Sequence, residues 1–187
     1  VVTGVTEQVF GSNGLFSRFN KITGPHEALG YLADFNHQQS DGLRENGDYD
    51  LNSGDVRLTY KLDADQDLRF DFLGYALDSG LPGFLTVQQF DANPDQTTTS
   101  ADHLWTDRYT GTLRYDRRFN DRSLVTVKLW TGNTEVVHRT DTYPGGVPGR
   151  ASNNDQEFKF TGLDARTVQR WGRGNAFTIG TTIYHSS

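Results

Sequence analysis

Three aspartates at alternate positions are the first candidates for metal chemistry in this sequence: Asp63, Asp65 and Asp67. Carboxylates with this spacing open a calcium-binding loop, in which they converge on a hard cation. Such a loop also needs a glycine and a closing glutamate further on, where this chain has Leu68 and Gly74. The spacing therefore predicts a tight acidic turn, and we expect no metal site here.

Other reactive residue types occur without the spacing that their chemistry requires. No two of the five histidines stand four residues apart, as in a helical zinc site, and the chain has no cysteine. The glycine-rich stretch 144–149 lacks the Lys-Ser/Thr pair of a phosphate-binding loop. No serine stands in a nucleophile elbow, and among 24 acidic residues a pair of carboxylates arises by chance. The sequence predicts neither an enzyme nor a bound cofactor.

Composition and charge disfavour further classes. The chain has 187 residues, which suits one domain, and 18 basic against 24 acidic residues give a net charge of −6. Binding to nucleic acid or to an anionic membrane surface needs concentrated Lys and Arg, so neither is expected. The absence of methionine suits an excerpt of a longer protein, and we expect Val1 to be an internal boundary.

Apolar residues recur at every second position through most of the chain. From Val56 to Leu62 they alternate strictly with polar residues, which is the period of a strand with one apolar face. The same alternation recurs in 29–38, 113–116, 125–129 and 177–183. No segment of comparable length keeps the stripe of an amphipathic helix. The pattern predicts about nine strands and no important helix.

The connections between these strands alternate in length. Short ones are predicted at 24–27, 63–67 and 120–123, and long polar ones at 39–54, 79–107 and 133–155. Outer-membrane barrels place their long loops at one end, whereas a soluble sandwich has no reason to do so. The strands measure about 9 to 12 residues, close to the roughly 9 to 11 that cross a bilayer at a tilt. We expect an all-β, antiparallel up-and-down meander that is part of a transmembrane barrel; the alternative is a soluble antiparallel barrel or sandwich.

Two segments resemble TonB-dependent outer-membrane receptors. Residues 29–32 (Leu-Gly-Tyr-Leu), leading into 39–46 (Gln-Ser-Asp-Gly-Leu-Arg-Glu-Asn), resemble a receptor strand followed by Asp-Gly-x-Arg-x-Asn. Residues 78–83 and 89–97 look like the next extracellular loop in receptors of the ferric dicitrate type. Order and spacing agree with that family over most of 29–97, and beyond this region the similarity is mainly the rhythm of the strands.

The resemblance implies a plugged barrel of about 22 strands, of which residues 1–187 would form a partial barrel domain without the plug. It implies a receptor in the outer membrane of a Gram-negative bacterium that takes up a ferric chelate, either ferric dicitrate or a siderophore. The partners would be outer-membrane lipid, the chelate, the receptor's own plug domain and the TonB complex, with no nucleic acid. Iron would be cargo inside the ligand, so no cofactor is implied.

In such a barrel the two sides of each strand have different surroundings. Polar side chains would point into the lumen, because an Arg or Lys facing lipid at the bilayer midplane costs about 2 to 4 kcal/mol. These residues are Asp34, Asn36, Arg57, Lys61, Arg69, Asp71, Arg114, Asp116 and Lys128. The residues expected to face lipid are Tyr31, Phe35, Leu58, Tyr60, Leu113, Val125 and Leu129, with Trp130 in an interfacial aromatic belt.

Basic and aromatic residues on the predicted extracellular loops are the candidate contacts for an anionic ferric chelate. Guanidinium groups pair bidentately with carboxylates, which favours arginine. The candidates are Arg44, His103, Trp105, Arg108, His138, Arg139 and Arg150. They rest on charge and location, since the family's ligand residues do not carry over position by position, and each also fits an ordinary solvated residue.

Two other functions fit parts of the pattern. A soluble β-sandwich module would bind carbohydrate with Trp105, Trp130 and Trp171, and an outer-membrane hydrolase would use the same kind of barrel. The alternating loop lengths disfavour the sandwich, and the missing Ser/His nucleophile pattern disfavours the hydrolase. Sequence upstream of Val1 would separate the three, because only the receptor carries a plug domain and a TonB box.

Overall fold

The computed structural model describes residues 1–142, 148–172 and 174–187, without the side chains of 141, 142 and 148–151. The elements are β1 (Thr3–Phe10), β2 (Phe16–His26), β3 (Leu29–Ser40), β4 (Tyr49–Lys61), β5 (Gln66–Gly80), α1 (Val87–Ala92), β6 (His103–Asn120), β7 (Ser123–Thr142), β8 (Pro148–Trp171) and β9 (Asn175–Ser186). In this part of the chain no helix is long and apolar enough to cross a membrane.

The nine strands form one sheet in sequence order. Each strand pairs antiparallel with its neighbours in the chain, from β1 through β9, without a crossover. The short connections 62–65 and 121–122 lie at one rim, and the longer loops 41–48 and 81–102 lie at the other. The predicted up-and-down meander is therefore confirmed, and α1 is a short helix within the 81–102 loop.

Several strands are longer than predicted and the loops are correspondingly shorter. Strands β6, β7 and β8 contain 18, 20 and 24 residues. The expected loops 39–54 and 79–107 shrink to 41–48 and 81–102, and most of the expected loop 133–155 belongs to β7 and β8. The prediction was wrong because it equated polar sequence with loop. A strand pair extending into water satisfies its own backbone hydrogen bonds and needs no apolar side chains.

Alternation gives the sheet two different faces. The apolar face carries Phe35, Val56, Phe72, Leu113 and Leu129, each 38 to 48% exposed. The charged face carries Arg57, Arg69, Asp71, Arg114 and Lys128. Cross-strand partners in an antiparallel sheet share a face. By this register, the residues expected to face the lumen all lie on the charged face. Those expected to face lipid all lie on the apolar face, except Trp130.

Trp130 lies on the charged face, contrary to the prediction that placed it with the apolar residues. The ammonium of Lys128 is 4.9 Å from the centroid of its ring. Trp130 stands opposite Gly162 on β8, where a Cβ would collide with the indole. Phe160 fills the space over Gly132 in the same way. These aromatic and glycine pairs depend on the register between strands, which the alternation within one strand does not reveal.

The sheet has no apolar core of its own. Among the described residues no hydrophobic side chain is buried, and the side chains that are buried belong to Asp102, Thr126 and Asn133. A sandwich needs a second layer that covers the apolar side of the first. The single sheet therefore disfavours the soluble carbohydrate-binding module, and the apolar face needs a covering that these residues do not supply.

Candidate functional site

Ion pairs join strands β4 and β5 on the charged face. Arg57 and Asp71 stand directly opposite each other, and Arg57 Nε donates to Asp71 Oδ1 at 2.6 Å. Arg69, two residues before Asp71 on β5, donates through Nε to Asp71 Oδ2 at 2.7 Å. One carboxylate thus serves two guanidinium groups, and Asp55 lies on the same face, two residues before Arg57.

A second ion pair lies on β6. Arg114 contacts Asp116 through Nε at 2.6 Å and through Nη2 at 2.9 Å. The buried hydroxyl of Thr126 on β7 donates to the same carboxylate at 2.5 Å. Asp116 is therefore held from two strands, and it neutralises the one arginine beside it.

Three cations stand directly opposite one another across β5, β6 and β7. Arg69 pairs in register with Arg114, and Arg114 pairs with Lys128. Like charges in directly opposite positions destabilise a sheet. Asp71 and Asp116 contact the two arginines of this row, and Asp164 on β8 stands directly opposite Lys128. The two adjacent arginines favour an additional anionic group above them.

A recess of about 400 Å³ opens over this row of cations. Its lining contains five basic residues and two acidic ones, Asp55 and Asp71. The five basic residues are Arg57, Arg69, Arg108, Arg114 and Lys128. The chain as a whole carries −6, yet this part of the charged face is positive and suits an anionic occupant.

Arg108 is the basic residue of the recess with an unengaged guanidinium group. Its side chain is exposed, and it makes no hydrogen bond or ion pair with any described residue. The sequence had singled it out as a candidate contact for an anionic chelate. It lines the same recess as the cation row, six residues before Arg114 on β6, which fits that role.

The described residues offer no site for a bound metal ion. No group of three His, Asp or Glu side chains among them is arranged to hold one. In the 62–65 connection Asp63 Oδ1 accepts a hydrogen bond from the backbone N–H of Asp65 at 2.8 Å. Asp63 and Asp65 thus lie in the tight acidic turn that the sequence predicted, and Asp67 belongs to β5.

Arg44 lies on the 41–48 loop, as predicted, but its guanidinium is engaged within the protein. Its nitrogens donate four hydrogen bonds to the backbone carbonyls of Pro82, Gly83 and Gln96, at 2.7 to 3.1 Å. An arginine has five N–H groups. Arg44 therefore has little capacity left for a ligand.

The other candidate contacts are on strands and are divided between the two faces. The side of the sheet that carries the apolar face continues toward the long-loop rim with His103, Trp105 and Arg139. The ring centroids of His103 and Trp105 are 4.2 Å apart. Arg108 and His138 lie on the charged face. The sheet therefore brings the first three residues together and places the other two on the opposite side. The side chain of Arg150 lies outside the described residues.

The comparison with known proteins finds similarity in structure. No protein-family model and no curated protein matches the sequence. The ferric citrate transporter FecA, in its unliganded form, aligns with a TM-score of 0.80 and 16% identity over 99% of this chain and 28% of that chain. The siderophore receptor PiuA from Acinetobacter baumannii aligns with a TM-score of 0.72 and 12% identity over 99% of this chain and 30% of that chain.

These two proteins are a transporter and a receptor, and this chain spans less than a third of the length of either. At such identities the likeness establishes the fold. Nine antiparallel strands in sequence order match a barrel segment of both. The chain has the fold of a barrel segment of the ferric citrate transporter FecA and the siderophore receptor PiuA.

Proposed function

We propose that this chain is a segment of an outer-membrane TonB-dependent receptor that takes up a ferric chelate, either ferric dicitrate or a siderophore. The observation that carries the proposal is the division of one sheet into an exposed apolar face and an ion-paired, net-positive face. A barrel wall between lipid and a polar lumen needs this division. Residues 1–187 would be one partial barrel domain.

The apolar face would contact lipid. Along β6 its residues run from Tyr109 through Gly111 and Leu113 to Tyr115, and Arg117 follows at the short-turn rim. Aromatic residues on either side of an apolar stretch are typical of the two membrane interfaces. This supports an outer-membrane location in a Gram-negative bacterium, with lipid as a partner.

The charged face would line the lumen, where the chelate passes and where a plug domain of the same receptor would lie. Ferric dicitrate is anionic, and its carboxylates suit the guanidinium groups of the recess. FecA is a ferric citrate transporter, which supports the same class of cargo here. Iron would enter as part of this cargo, and the TonB complex would supply energy; the role is transport, without catalysis or a resident cofactor.

The test uses the full-length receptor as the only iron-chelate receptor in a bacterial outer membrane. We expect accumulation of radioactive iron supplied as ferric dicitrate, and loss of this accumulation when a protonophore collapses the inner-membrane proton gradient. Iron uptake that is absent for ferric dicitrate and for a neutral ferric siderophore alike would contradict the proposed function. Uptake that survives the protonophore would contradict the TonB-dependent part of it.

Arg108 allows the recess to be tested separately. A charge-assisted hydrogen bond contributes about 1.5 to 3 kcal/mol, so we expect Arg108→Ala to weaken ferric dicitrate binding by roughly tenfold or more. Binding of a neutral siderophore should change by less than about threefold. Arg122→Ala, at the short-turn rim, is the matched control. Equal binding of ferric dicitrate by Arg108→Ala and the control would exclude the recess as the chelate site.

A further inference from the structure

Two side chains of the 41–48 loop reach across to the 81–102 loop. Arg44 Nη1 donates to the carbonyl of Gly83 at 2.7 Å, and Nη2 donates to Pro82 at 3.1 Å and to Gln96 at 2.9 Å. Arg44 Nε donates to the same carbonyl of Gln96 at 3.1 Å. One guanidinium group thus ties together the beginning of the 81–102 loop and a segment that follows α1.

Asn46 ties a further part of the same loop. Its Nδ2 lies within hydrogen-bond distance of the carbonyls of Leu81 at 3.2 Å, Thr99 at 2.6 Å and Asp102 at 2.9 Å. Between the two side chains, the backbone N–H of Glu45 donates to the carbonyl of Asp95 at 2.8 Å. The contacts of these consecutive residues therefore reach both ends of the 81–102 loop and its middle.

Glycines permit the shape of each loop, at Gly42 and Gly83, and the close approach of Asn46 to the end of β5, at Gly80. Gly42 has a φ of +79°, and a Cβ there would collide with the carbonyl of Gly47. A Cβ on Gly80 would lie 2.6 Å from the carbonyl oxygen of Asn46. Gly83 has a φ of +68° and leaves no space for a Cβ beside Thr98. The hydrogen bonds of the side chains and the backbone conformation at the glycines therefore favour the same packing of the 41–48 loop against the 81–102 loop.

We propose that Arg44 and Asn46 are positioning residues that hold the 81–102 loop against the 41–48 loop before any ligand arrives. The rim formed by these two loops is then a preformed part of the capture surface, and it does not close over the chelate. Preorganisation of this kind avoids an ordering cost at the moment of binding. The ordering of the loop follows from the contacts alone, whereas its use in capture rests on the proposed function.

The test measures hydrogen exchange in the ligand-free full-length receptor in detergent. The reporting amides are those of Leu81 and Thr98, which donate to Asp102 and Pro82 within the loop, both at 3.0 Å. We expect Arg44→Ala to raise their exchange rates about tenfold or more, because the loop loses four hydrogen bonds. Arg122→Ala should leave both rates unchanged.

A conservative variant separates the geometry of Arg44 from its charge. Lysine keeps the charge but cannot reproduce a planar fork that reaches three carbonyls, so we expect Arg44→Lys to raise exchange nearly as much as Arg44→Ala. Binding of ferric dicitrate and of a neutral siderophore should weaken to a similar extent in both variants. A charge contact would instead leave Arg44→Lys close to wild type and would affect the anionic chelate alone.

Asn46→Asp supplies an independent variant of nearly the same size. It replaces the amide that donates to carbonyls by an acceptor, and we expect the same increase in exchange at Leu81 and Thr98. Unchanged exchange in Asn46→Asp or in Arg44→Ala would overturn the inference. If the wild-type receptor binds neither chelate, the proposed function fails, while the exchange rates still decide whether these residues order the loop.

Discussion

Replacing Leu113 by arginine tests whether the apolar face contacts lipid. Leu113 lies in the middle of the apolar stretch of β6 and is directly opposite Leu129. An arginine facing lipid near the midplane costs about 2 to 4 kcal/mol. Loss of a leucine that is 41% exposed adds about 1 kcal/mol, since full burial of this side chain contributes about 1.5 to 3 kcal/mol. We expect Leu113→Arg to lower the free energy of unfolding by about 3 to 5 kcal/mol.

Thr112→Arg is the matched control, because it places the same side chain one residue earlier on the other face. There the new guanidinium would stand opposite Asp71, and we expect a change below about 1 kcal/mol. Both variants would be measured in the full-length receptor in lipid vesicles, by urea titration followed by tryptophan fluorescence. Destabilisation by Thr112→Arg that equals or exceeds that of Leu113→Arg would refute the assignment of the two faces.

Two further changes test contacts on the charged face. Asp71→Asn removes the carboxylate shared by two partly exposed arginines, and we expect urea titration to show a loss of about 1 kcal/mol; a gain in stability would contradict the ion pairs. Gly162→Ala places a Cβ against Trp130, so we expect a loss of about 1 to 3 kcal/mol and a shift in tryptophan emission. Gly111→Ala is the control, because no atom lies within 4 Å of a Cβ at that position, and it should change stability by less than about 0.5 kcal/mol. Equal effects of the two glycine variants would contradict the position of the indole of Trp130.

The alternation of residues was sufficient to predict the sheet and its two faces. Val56, Leu58 and Tyr60 share a face whatever the neighbouring strands do, because successive side chains point to opposite sides of a strand. The lengths of the strands were not predictable in the same way. Segments 103–108 of β6 and 134–139 of β7 continue the antiparallel pairing of these strands beyond the apolar stretch. Their charged and polar residues resemble the composition of a loop.

Features of the candidate site that depend on register could not be predicted from one sequence. Arg69, Arg114 and Lys128 were each assigned to the lumen, but their alignment in one row appears only when three strands are paired. Arg44 was predicted to contact the ligand because of its charge and location, and its guanidinium bonds the backbone of the 81–102 loop. Its acceptors are 38 to 52 residues away in the chain, so local sequence gave no sign that the guanidinium is already occupied.

The central claim is that, from position 109 to position 116 of β6, odd-numbered residues face lipid and even-numbered residues face the lumen. It can be tested by single spin labels on cysteines placed at positions 109 to 116, since this chain contains no cysteine. With the full-length receptor in lipid vesicles, the account predicts that labels at 109, 111, 113 and 115 are more accessible to oxygen, which concentrates in lipid. Labels at 110, 112, 114 and 116 should be more accessible to a water-soluble nickel chelate. Accessibility without a period of two, or with the opposite phase, would contradict the account.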